Sequence, residues 1–406
     1  MRTVIYAALA AGIVAPSAAV AQTISVNSNK TVSGSSHGMS WTAQSLIVGQ
    51  TSTATIAGGG NPIYLAPNQN GYSGVVGMLM QYDNGSAFVC SGSLLSDRRS
   101  ILTAAHCVSN GFSSNVNGRA PGLVNTSVFF YDGMSSGVDP FIYNSPPGVT
   151  TIGVSNYFVN SAYTGQVIDQ NDIAVLRLAT EAPAFAQGYE LYTAGDLTGD
   201  MFNVAGYGTR SVVGGAEGVT GPGEGAGVGR RRQGDNIFDY RWGDDAFAGF
   251  FTDEDAAGDN FFGSAKIDFS FISDFDNGTA PNDTSCRIAL AVAGGAGAQF
   301  CNTGLGAMEV GTAGGDSGGP QFINGKIASV TSYGLTFGTG FGDFKPGLQS
   351  SWGEFNGFVP TYIHTSFITS AVPEPSTWAM MIVGFGAIGG AMRRRSKAQA
   401  GTLATA

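Results

Sequence analysis

The stretch Gly314-Gly315-Asp316-Ser317-Gly318-Gly319-Pro320 decides how this chain is interpreted. A serine hydroxyl is a weak nucleophile unless a base removes its proton. An attacking serine also needs unhindered backbone around it. Glycine meets this need because it adopts positive φ without strain and lets amide N–H groups approach a reacting carbonyl. The string therefore predicts that Ser317 is a nucleophile on a tight turn.

The base that such a serine requires has few candidates, since the chain contains three histidines. His37 lies in an N-terminal region rich in Ser, Thr, Asn and Gly, and His364 lies near the end of the body. His106 follows the strand-like run 102–105 and precedes Cys107, which can lock its loop through a disulfide bond. We therefore predict that His106 is the general base.

A third group, a buried carboxylate, is needed to fix the imidazole tautomer and to stabilise the imidazolium. Asp172 opens the apolar run Ile173-Ala174-Val175-Leu176-Arg177-Leu178 and so lies at the edge of a core, where water is scarce. The other acids between 107 and 300 mostly lie in polar loops. Asp172 is the predicted orienting acid, and an ordinary aspartate turn before a strand is the alternative.

Composition favours an all-β barrel or sandwich. Hydrophobic residues make up 43% and charged residues 12% of 406 positions, which allows a core and excludes general disorder. The 62 glycines argue against a helical protein. Apolar runs such as 75–80, 100–103 and 327–332 alternate with turn residues, as strands do. The net charge of −10 argues against a nucleic-acid partner.

The two ends are typical of targeting segments. Residues 1–21 have a positive start, an apolar run and a small-x-small end, as a secretory signal peptide does. Near the other end, Pro373-Glu374-Pro375 precedes a short uncharged apolar segment and then Arg393, Arg394, Arg395 and Lys397. Residues 372–397 are therefore expected to hold a short transmembrane helix with a cytoplasmic basic flank. A plain membrane anchor is one explanation. The arrangement also resembles the PEP-CTERM sorting signal of Gram-negative bacteria, which implies an exosortase partner and delivery to the cell surface or matrix, with secretion after C-terminal processing as the other destination.

The four cysteines are Cys90, Cys107, Cys286 and Cys301. They permit three pairings in an oxidising compartment. Proximity in sequence favours Cys90–Cys107 and Cys286–Cys301. Each bridge would close a short loop and stabilise the folded chain by about 3 kcal/mol. Neither pair has C-x-x-C spacing, so a metal site is disfavoured.

The strings around His106, Asp172 and Ser317, in that order, resemble the trypsin/chymotrypsin family of serine endopeptidases. The resemblance implies that these residues are general base, orienting acid and nucleophile, with an oxyanion hole formed by the backbone N–H groups of Gly315 and Ser317. It implies two six-stranded antiparallel β-barrels with the catalytic cleft between them and a short C-terminal helix. The two disulfide bonds match usual bridges of the family. The substrate-binding residues it implies are Gly311, Thr312, Ser332, Tyr333 and Gly334.

Specificity is expected to depart from that of basic-selective relatives. Gly311 stands six positions before Ser317, where those relatives place an aspartate. Thr312 and Ala313 are also small and uncharged, so we expect a small or apolar P1 residue rather than Arg or Lys. Glu309 is close enough in sequence to supply a charge as the alternative.

We divide the chain into a signal peptide (1–21), a leader or pro-segment (22–70), a protease domain (71–371) with an insertion (211–285), and the sorting signal (372–397). Ile47-Val48-Gly49-Gln50 resembles the Ile-Val-Gly-Gly end that family zymogens release, whose amine pairs with the aspartate before the serine, here Asp316. Because Ile47 lies far from Val75, where the predicted strands begin, the position of the activating cleavage is not assigned.

Two clusters of charged residues in the insertion can each be interpreted in two ways. The triplet 230–232 is expected to be a solvated loop, and an exposed processing site is the sharper interpretation. A second group of acids suggests a solvated acidic face, with calcium binding as the alternative. This group consists of Asp244, Asp245, Asp253, Glu254, Asp255 and Asp259. The proposed chemistry itself requires no metal or organic cofactor.

A serine endopeptidase acting on proteins or peptides is therefore the expected function. A catalytically silent surface or matrix protein with a protease fold is the alternative. An α/β-hydrolase esterase predicts G-x-S-x-G and the order Ser, Asp, His, which is the reverse of the observed order.

Overall fold

The computed structural model describes residues 31–44, 47–114, 119–133, 140–219 and 225–372. The expected signal peptide and all but the first residue of the expected sorting signal lie outside these residues. The strands, in chain order, are β1 (Val32–Ser36), β2 (Met39–Gln44), β3 (Val48–Gly49), β4 (Val75–Tyr82), β5 (Ala87–Leu94), β6 (Ser100–Thr103), β7 (Leu123–Tyr131), β8 (Val149–Val159), β9 (Ala174–Leu178), β10 (Met201–Gly206), β11 (Arg232–Ile237), β12 (Tyr240–Arg241), β13 (Phe271–Asp274), β14 (Val310–Gly311), β15 (Pro320–Ile323), β16 (Lys326–Thr336) and β17 (Phe355–Pro360).

Six strands close into a barrel in the order β4-β5-β6-β9-β8-β7. All of its neighbours run antiparallel. Alternate residues of β4, namely Val76, Met78 and Met80, pack into the barrel core with Leu176 of β9. The disulfide Cys90–Cys107 ties β5 to the turn after β6, with the two Cα atoms 6.2 Å apart. One of the two expected six-stranded barrels is therefore present.

The second expected six-stranded barrel is instead a nine-stranded sheet. Its main path is β11-β10-β15-β16-β17-β13-β12, and β2 joins β16 and carries β1. The chain passes from β11 at one edge to β12 at the other through Phe238 and Asp239 alone, so the sheet curls until its edges approach. The Phe238 amide donates to Asp200 and the Asp239 amide to Ile272, rather than to the opposite edge. The result is a half-barrel widened by an N-terminal hairpin.

Two α-helices complete the described fold. Helix α1 (Thr284–Ala293) begins at Asp283, whose Oδ1 accepts the Cys286 amide at 2.9 Å. The bridge Cys286–Cys301, the second expected disulfide, holds this helix to the following 3₁₀ segment. Helix α2 (Thr365–Ala371) is the short C-terminal helix. None of the helices in the described residues is long and apolar enough to cross a membrane.

The triplet at 230–232 does not form the solvated loop we expected. Arg231 and Arg232 are 3% and 1% exposed. The Arg231 guanidinium donates to the carbonyls of Ala66 and Tyr72, and that of Arg232 donates to the carbonyls of Thr53 and Ala54. These bonds hold residues 47–70, part of the expected leader or pro-segment, against the second sheet. The expected insertion also contributes to the second sheet, since β11, β12 and β13 all lie within it.

Candidate active site

His106 and Asp172 meet at the end of the closed barrel. His106 lies in the 3₁₀ turn Ala105–Cys107 directly after β6, and Asp172 lies just before β9, the neighbour of β6. The His106 Nδ1 atom is 2.7 Å from Asp172 Oδ2, and the His106 backbone N–H donates to Asp172 Oδ1 at 2.7 Å. Two bonds from one residue to both oxygens fix the orientation of the carboxylate and of the imidazole.

Asp172 is 1% exposed, and its charge is stabilised by its neighbours. Burial alone would raise its pKa, but the charge of His106 and the hydrogen bonds from His106 and Ser332 outweigh burial and hold the pKa below its usual value. The Ser332 hydroxyl donates to Asp172 Oδ2 at 2.6 Å. The turn that presents Asp172 is built on buried Asp169, which accepts the Thr164 and Asn171 amides. Sequence analysis did not single out Asp169.

Ser317 lies in the loop between β14 and β15, and this loop is held by the closed barrel. Ser91 of β5 makes two bonds to it: its amide donates to the Ser317 carbonyl at 2.8 Å, and its hydroxyl donates to the Gly315 carbonyl at 2.9 Å. Gly315 has φ +100° and Gly318 has φ +78°, values that favour glycine. At Gly318 a Cβ would lie 2.0 Å from Thr103 Oγ1, so the close approach also requires glycine.

The loop brings Ser317 close to the turn that carries His106. The Ser317 carbonyl oxygen lies 3.7 Å from Cys107 Sγ, next to His106 in sequence. His106 Nε2, the atom that faces away from Asp172, is buried and has no hydrogen-bond partner among the described residues. The Gly315 and Ser317 amides likewise donate to no acceptor within the described part of the chain. The site thus has an unpartnered base atom and two unpartnered donors beside one serine.

Asp316 anchors the other side of the same loop. It is fully buried, and its carboxylate accepts the amides of Gly208 at 2.8 Å, Ala313 at 3.0 Å and Ile47. Burial raises its pKa from 3.8 to about 8, although the Ala313 and Gly208 hydrogen bonds oppose the rise. Its partner Ile47 comes directly before β3, which pairs with β14. The Ile47-Val48-Gly49-Gln50 stretch therefore reaches the aspartate that its sequence suggested.

A pocket with almost no free space inside it lies between β14, β16 and β17. Its walls include the predicted residues Gly311, Thr312 and Gly334, together with Asn356 and Glu354. Asn356 Oδ1 accepts the Thr312 amide at 2.6 Å and its hydroxyl at 2.9 Å. Glu309, the alternative source of charge, is not among the lining residues. Its carboxylate instead accepts the amides of Leu305 and Asp276.

Glu354 is a buried carboxylate in this pocket that sequence analysis missed. Burial raises its pKa to about 8, and the nearby charge of Asp343 adds to the rise. Both of its oxygens are occupied, because they accept the backbone amides of Gln349, Ser350 and Ser351. The residue organises the 349–354 turn, and no local pattern in the sequence marks it.

The three residues predicted to bind substrate backbone have different environments. The Ser332 side chain supports Asp172, as described above. Tyr333 is fully buried, and its hydroxyl bonds to Trp242 Nε1 and Ser270 Oγ, both at 2.8 Å. Gly334 begins the part of β16 that pairs with β2.

The other two histidines lie away from this constellation. His364 is buried, with Nδ1 3.1 Å from Asn160 Nδ2 and Nε2 2.7 Å from the Gln170 carbonyl, and burial lowers its pKa. His37 lies in the turn between β1 and β2. The six acids proposed as a cation group do not appear among the described clusters close enough to share an ion.

Comparison with known families gives two matches. Residues 66–220 match the Trypsin family model, which covers His106 and Asp172 but ends before the loop at Ser317. Residues 371–395 match the PEP-CTERM protein-sorting motif. No curated protein matches the chain. Residues 66–220 are thus similar to the Trypsin family, and residues 371–395 carry a motif that indicates export and sorting to the bacterial cell surface.

Proposed function

We propose that this chain, which carries a trypsin-family domain and a PEP-CTERM motif, is a surface-sorted serine endopeptidase. The observation that carries the proposal is the hydrogen bond between His106 Nδ1 and buried Asp172, which leaves His106 Nε2 without a partner among the described residues. The Ser317 loop contacts Cys107, the residue that follows His106. A carboxylate that holds one imidazole nitrogen leaves the other nitrogen available to take a proton from a serine hydroxyl.

In this mechanism His106 Nε2 takes the Ser317 hydroxyl proton while Oγ attacks the peptide carbonyl carbon. The Gly315 and Ser317 amides stabilise the resulting oxyanion, and the loss of one such donor typically costs about 3 kcal/mol of the barrier. His106 then gives the proton to the leaving amine, and the acyl-enzyme forms. Water, activated by the same imidazole, hydrolyses it. Asp172 stabilises the imidazolium throughout.

We further propose that the chain is activated by cleavage of the Leu46–Ile47 peptide bond. The new ammonium group of Ile47 would then pair with Asp316, which already accepts the Ile47 amide in the uncut chain. The pairing of β3 with β14 supports this assignment because it fixes Val48 and Gly49 beside Gly311 and Val310. An opposite charge would favour ionised Asp316 in a site where burial alone opposes it.

The pocket supports a preference for a small or apolar P1 residue. Gly311 and Thr312 contribute no charge to its walls. Glu354 is the carboxylate in the lining, and its oxygens are committed to the amides of 349–351. An Arg or Lys side chain would have to displace those bonds to find a counter-charge.

The test is covalent labelling of the processed protein with a fluorophosphonate, together with hydrolysis of a casein-type substrate and of a peptide library. We expect labelling at Ser317, loss of both activities in Ser317→Ala, and cleavage after small or apolar residues. The control Ser370→Ala removes an exposed serine on α2 and should label normally. A folded, processed protein that fails to label at Ser317 would contradict the enzyme and favour the silent surface protein.

The sorting motif adds a partner and a destination to the proposal. An exosortase-type enzyme would cleave near the Pro373-Glu374-Pro375 string and release the domain to the cell surface, the matrix or the medium. The substrates would then be extracellular proteins or peptides.

A further inference from the structure

Five buried carboxyl groups outside the active site gather beside helix α1. We call them the acid cluster: Asp239, Asp274, Asp276, Asp283 and Glu309. Each is at most 4% exposed. No arginine, lysine or histidine of the described residues forms an ion pair with any of them. Buried charges without a counter-ion are costly, so the cluster needs an explanation.

Four members have neutral donors. Asp239 accepts the Asp274 amide, and Asp274 accepts the Ser285 amide, both at 2.8 Å. Asp283 caps helix α1, and Glu309 accepts the Asp276 amide at 2.6 Å. These bonds fix the carboxylates in place but leave the charge of the cluster uncompensated.

Asp276 is the exception that points to a ligand. Its side chain is buried, the residue being 1% exposed, and neither carboxylate oxygen has a hydrogen-bond partner among the described residues. Carboxylate oxygens of Asp274, Asp276 and Asp283 lie within 4.8 Å of one another. The Asp276 carboxylate therefore receives no N–H or O–H donor from the described residues and lies beside two other carboxylates at the spacing of metal ligands. A cation bound to all three would neutralise their charge.

We propose that Asp274, Asp276 and Asp283 bind one Ca²⁺ ion. Calcium takes six to eight oxygen ligands at about 2.3–2.6 Å and tolerates irregular geometry, whereas Mg²⁺ demands a near-ideal octahedron and retains its waters. A protein exported to a calcium-containing exterior needs only the weak affinity of extracellular sites, a Kd of about 10⁻⁴–10⁻³ M. Without the ion, burial and then the charges of Asp274 and Glu309 raise the pKa of Asp276 to about 11.

The position of this site links it to the pocket. Glu309, bonded to the Asp276 amide, directly precedes β14, which forms a pocket wall. The Asp276 carbonyl accepts the side-chain amide of Gln50, which follows β3. Bound calcium would therefore stabilise the pairing of β3 with β14.

The test uses the full chain with Ser317→Ala, to prevent self-digestion. We expect titration calorimetry to find one Ca²⁺ per chain and the thermal unfolding midpoint to rise with calcium concentration. Asp276→Asn should weaken calcium binding at least about tenfold. The matched control, Glu254→Gln, removes one charge from an exposed loop and should bind as the parent does.

A second measurement places the ion. Tb³⁺ is a luminescent calcium substitute that nearby tyrosine excites. The Tyr240 hydroxyl donates to the carbonyl of Ser285 at 3.4 Å, and the Ser285 amide donates to Asp274. Tyr240→Phe should lower the sensitised emission while calcium still displaces Tb³⁺. No calcium binding up to millimolar concentration would overturn the proposal, since protons would then neutralise the cluster. Equal binding by Asp276→Asn and the parent would also overturn it.

A different observation concerns the hairpin of β1 and β2, residues 32–44. Its turn has φ +51° at His37 and φ +81° at Gly38, the left-handed pair that two-residue hairpins favour. Strand β2 pairs antiparallel with β16, matching Gln44 to Gly334, Ala43 to Leu335 and Thr42 to Thr336. The hairpin thus occupies a strand edge that begins at Gly334.

The expected insertion holds this hairpin in place. Met39, Trp41 and Ala43 of β2 are buried in one aromatic core with Phe251, Phe261, Phe262 and Trp242. The Trp41 ring meets the Phe262 ring edge-on at 5.1 Å, and the His37 ring lies 4.6 Å from that of Phe250. Residues 242–262 therefore form a seat for the N-terminal hairpin.

We infer that the hairpin is an autoinhibitory segment that blocks extended peptides from the edge at Gly334–Thr336. This inference rests on the proposed function. A strand edge that is already paired cannot hydrogen-bond to an incoming peptide. A small reagent needs no strand edge, so it would still reach Ser317. Activation would require release of the hairpin as well as the cut before Ile47.

The test compares Trp41→Ala with the control Ser40→Ala, an exposed position on the same strand. We expect Trp41→Ala to lower KM for a peptide of six or more residues by about tenfold, as a closed population of about nine in ten would give. Fluorophosphonate labelling should be equal in both. A synthetic 31–44 peptide should restore inhibition, which separates hairpin release from damage to the fold.

Equal KM values with normal labelling would overturn the autoinhibition and leave the protease intact. Absence of labelling in every variant would overturn the proposed function and the autoinhibition with it.

Discussion

Asp316 links the pH dependence of stability to the activation cut. In the uncut chain it is buried with only neutral amide donors, and its pKa rises from 3.8 to about 8. A carboxyl whose folded pKa is raised contributes stability that is complete below its unfolded pKa and is lost as the pH rises through the folded value. At about 1.4 kcal/mol per pH unit, the loss between about pH 4 and about pH 8 has an upper limit of about 6 kcal/mol.

The perturbation is Asp316→Asn, made in the Ser317→Ala chain before and after cleavage at Leu46–Ile47. The free energy of unfolding is measured by urea denaturation at about pH 5 and about pH 8. In the uncut chain we expect Asp316→Asn to become relatively more stabilising at the higher pH, by up to about 4 kcal/mol. The contributions of the other buried acids to the pH dependence cancel, because the chains with and without Asp316→Asn both contain them.

In the cut chain the sign reverses, since the Ile47 ammonium would pair with ionised Asp316. There Asp316→Asn should destabilise at both pH values. An effect of the substitution in the uncut chain that is the same at both pH values would refute the reasoning. So would a cut chain in which Asp316→Asn costs nothing.

Two further predictions concern the active-site frame. Asp172→Asn should lower kcat for peptide hydrolysis by about 10⁴-fold with little change in fold, because the wrong imidazole tautomer is then favoured. This is the magnitude found for the triad of the trypsin/chymotrypsin family. An effect below tenfold would contradict the role of Asp172. Gly318→Ala should cost about 3 kcal/mol or more in chemical denaturation, because its Cβ would lie 2.0 Å from Thr103 Oγ1 at φ +78°. The control Gly325→Ala has a similar φ of +74° but no atom within 4 Å, and it should cost only about 1 kcal/mol; equal costs would contradict the close approach.

Local signals predicted the parts of the structure that depend on local sequence. The runs at 75–80 and 100–103 became β4 and β6, because a short apolar run bounded by turn residues suits a buried strand. The strings that hold His106 and Asp172 include the neighbouring strands β6 and β9. The two disulfide pairings are confirmed because short loops bring their cysteines together. The assigned catalytic roles stay predictions.

Long-range partners explain what sequence analysis missed. Arg232 appeared to be part of a solvated loop because its acceptor, the Thr53 carbonyl, lies 179 positions away. Glu354 gave no signal because a carboxylate that collects backbone amides requires no side-chain motif. The nine-stranded sheet was not expected because β2 finds its partner at the far end of the chain. Sequence patterns indicate which face is buried, but not which distant strand covers it.

Contacts in the closed barrel join residues that are closer in sequence than those joined in the second half of the fold. This difference predicts an order of folding. The closed barrel is built from one continuous stretch, 75–178, so it can form as soon as that stretch is free. The other half waits for partners such as Ile47 and Asp316, which are 269 residues apart. His106 and Asp172 therefore assemble early and Ser317 joins them late, an order that pulse-labelled hydrogen exchange during refolding would reveal. Under the proposed function, this order would keep the chain inactive during its synthesis, because the proposed nucleophile is the last part to arrive.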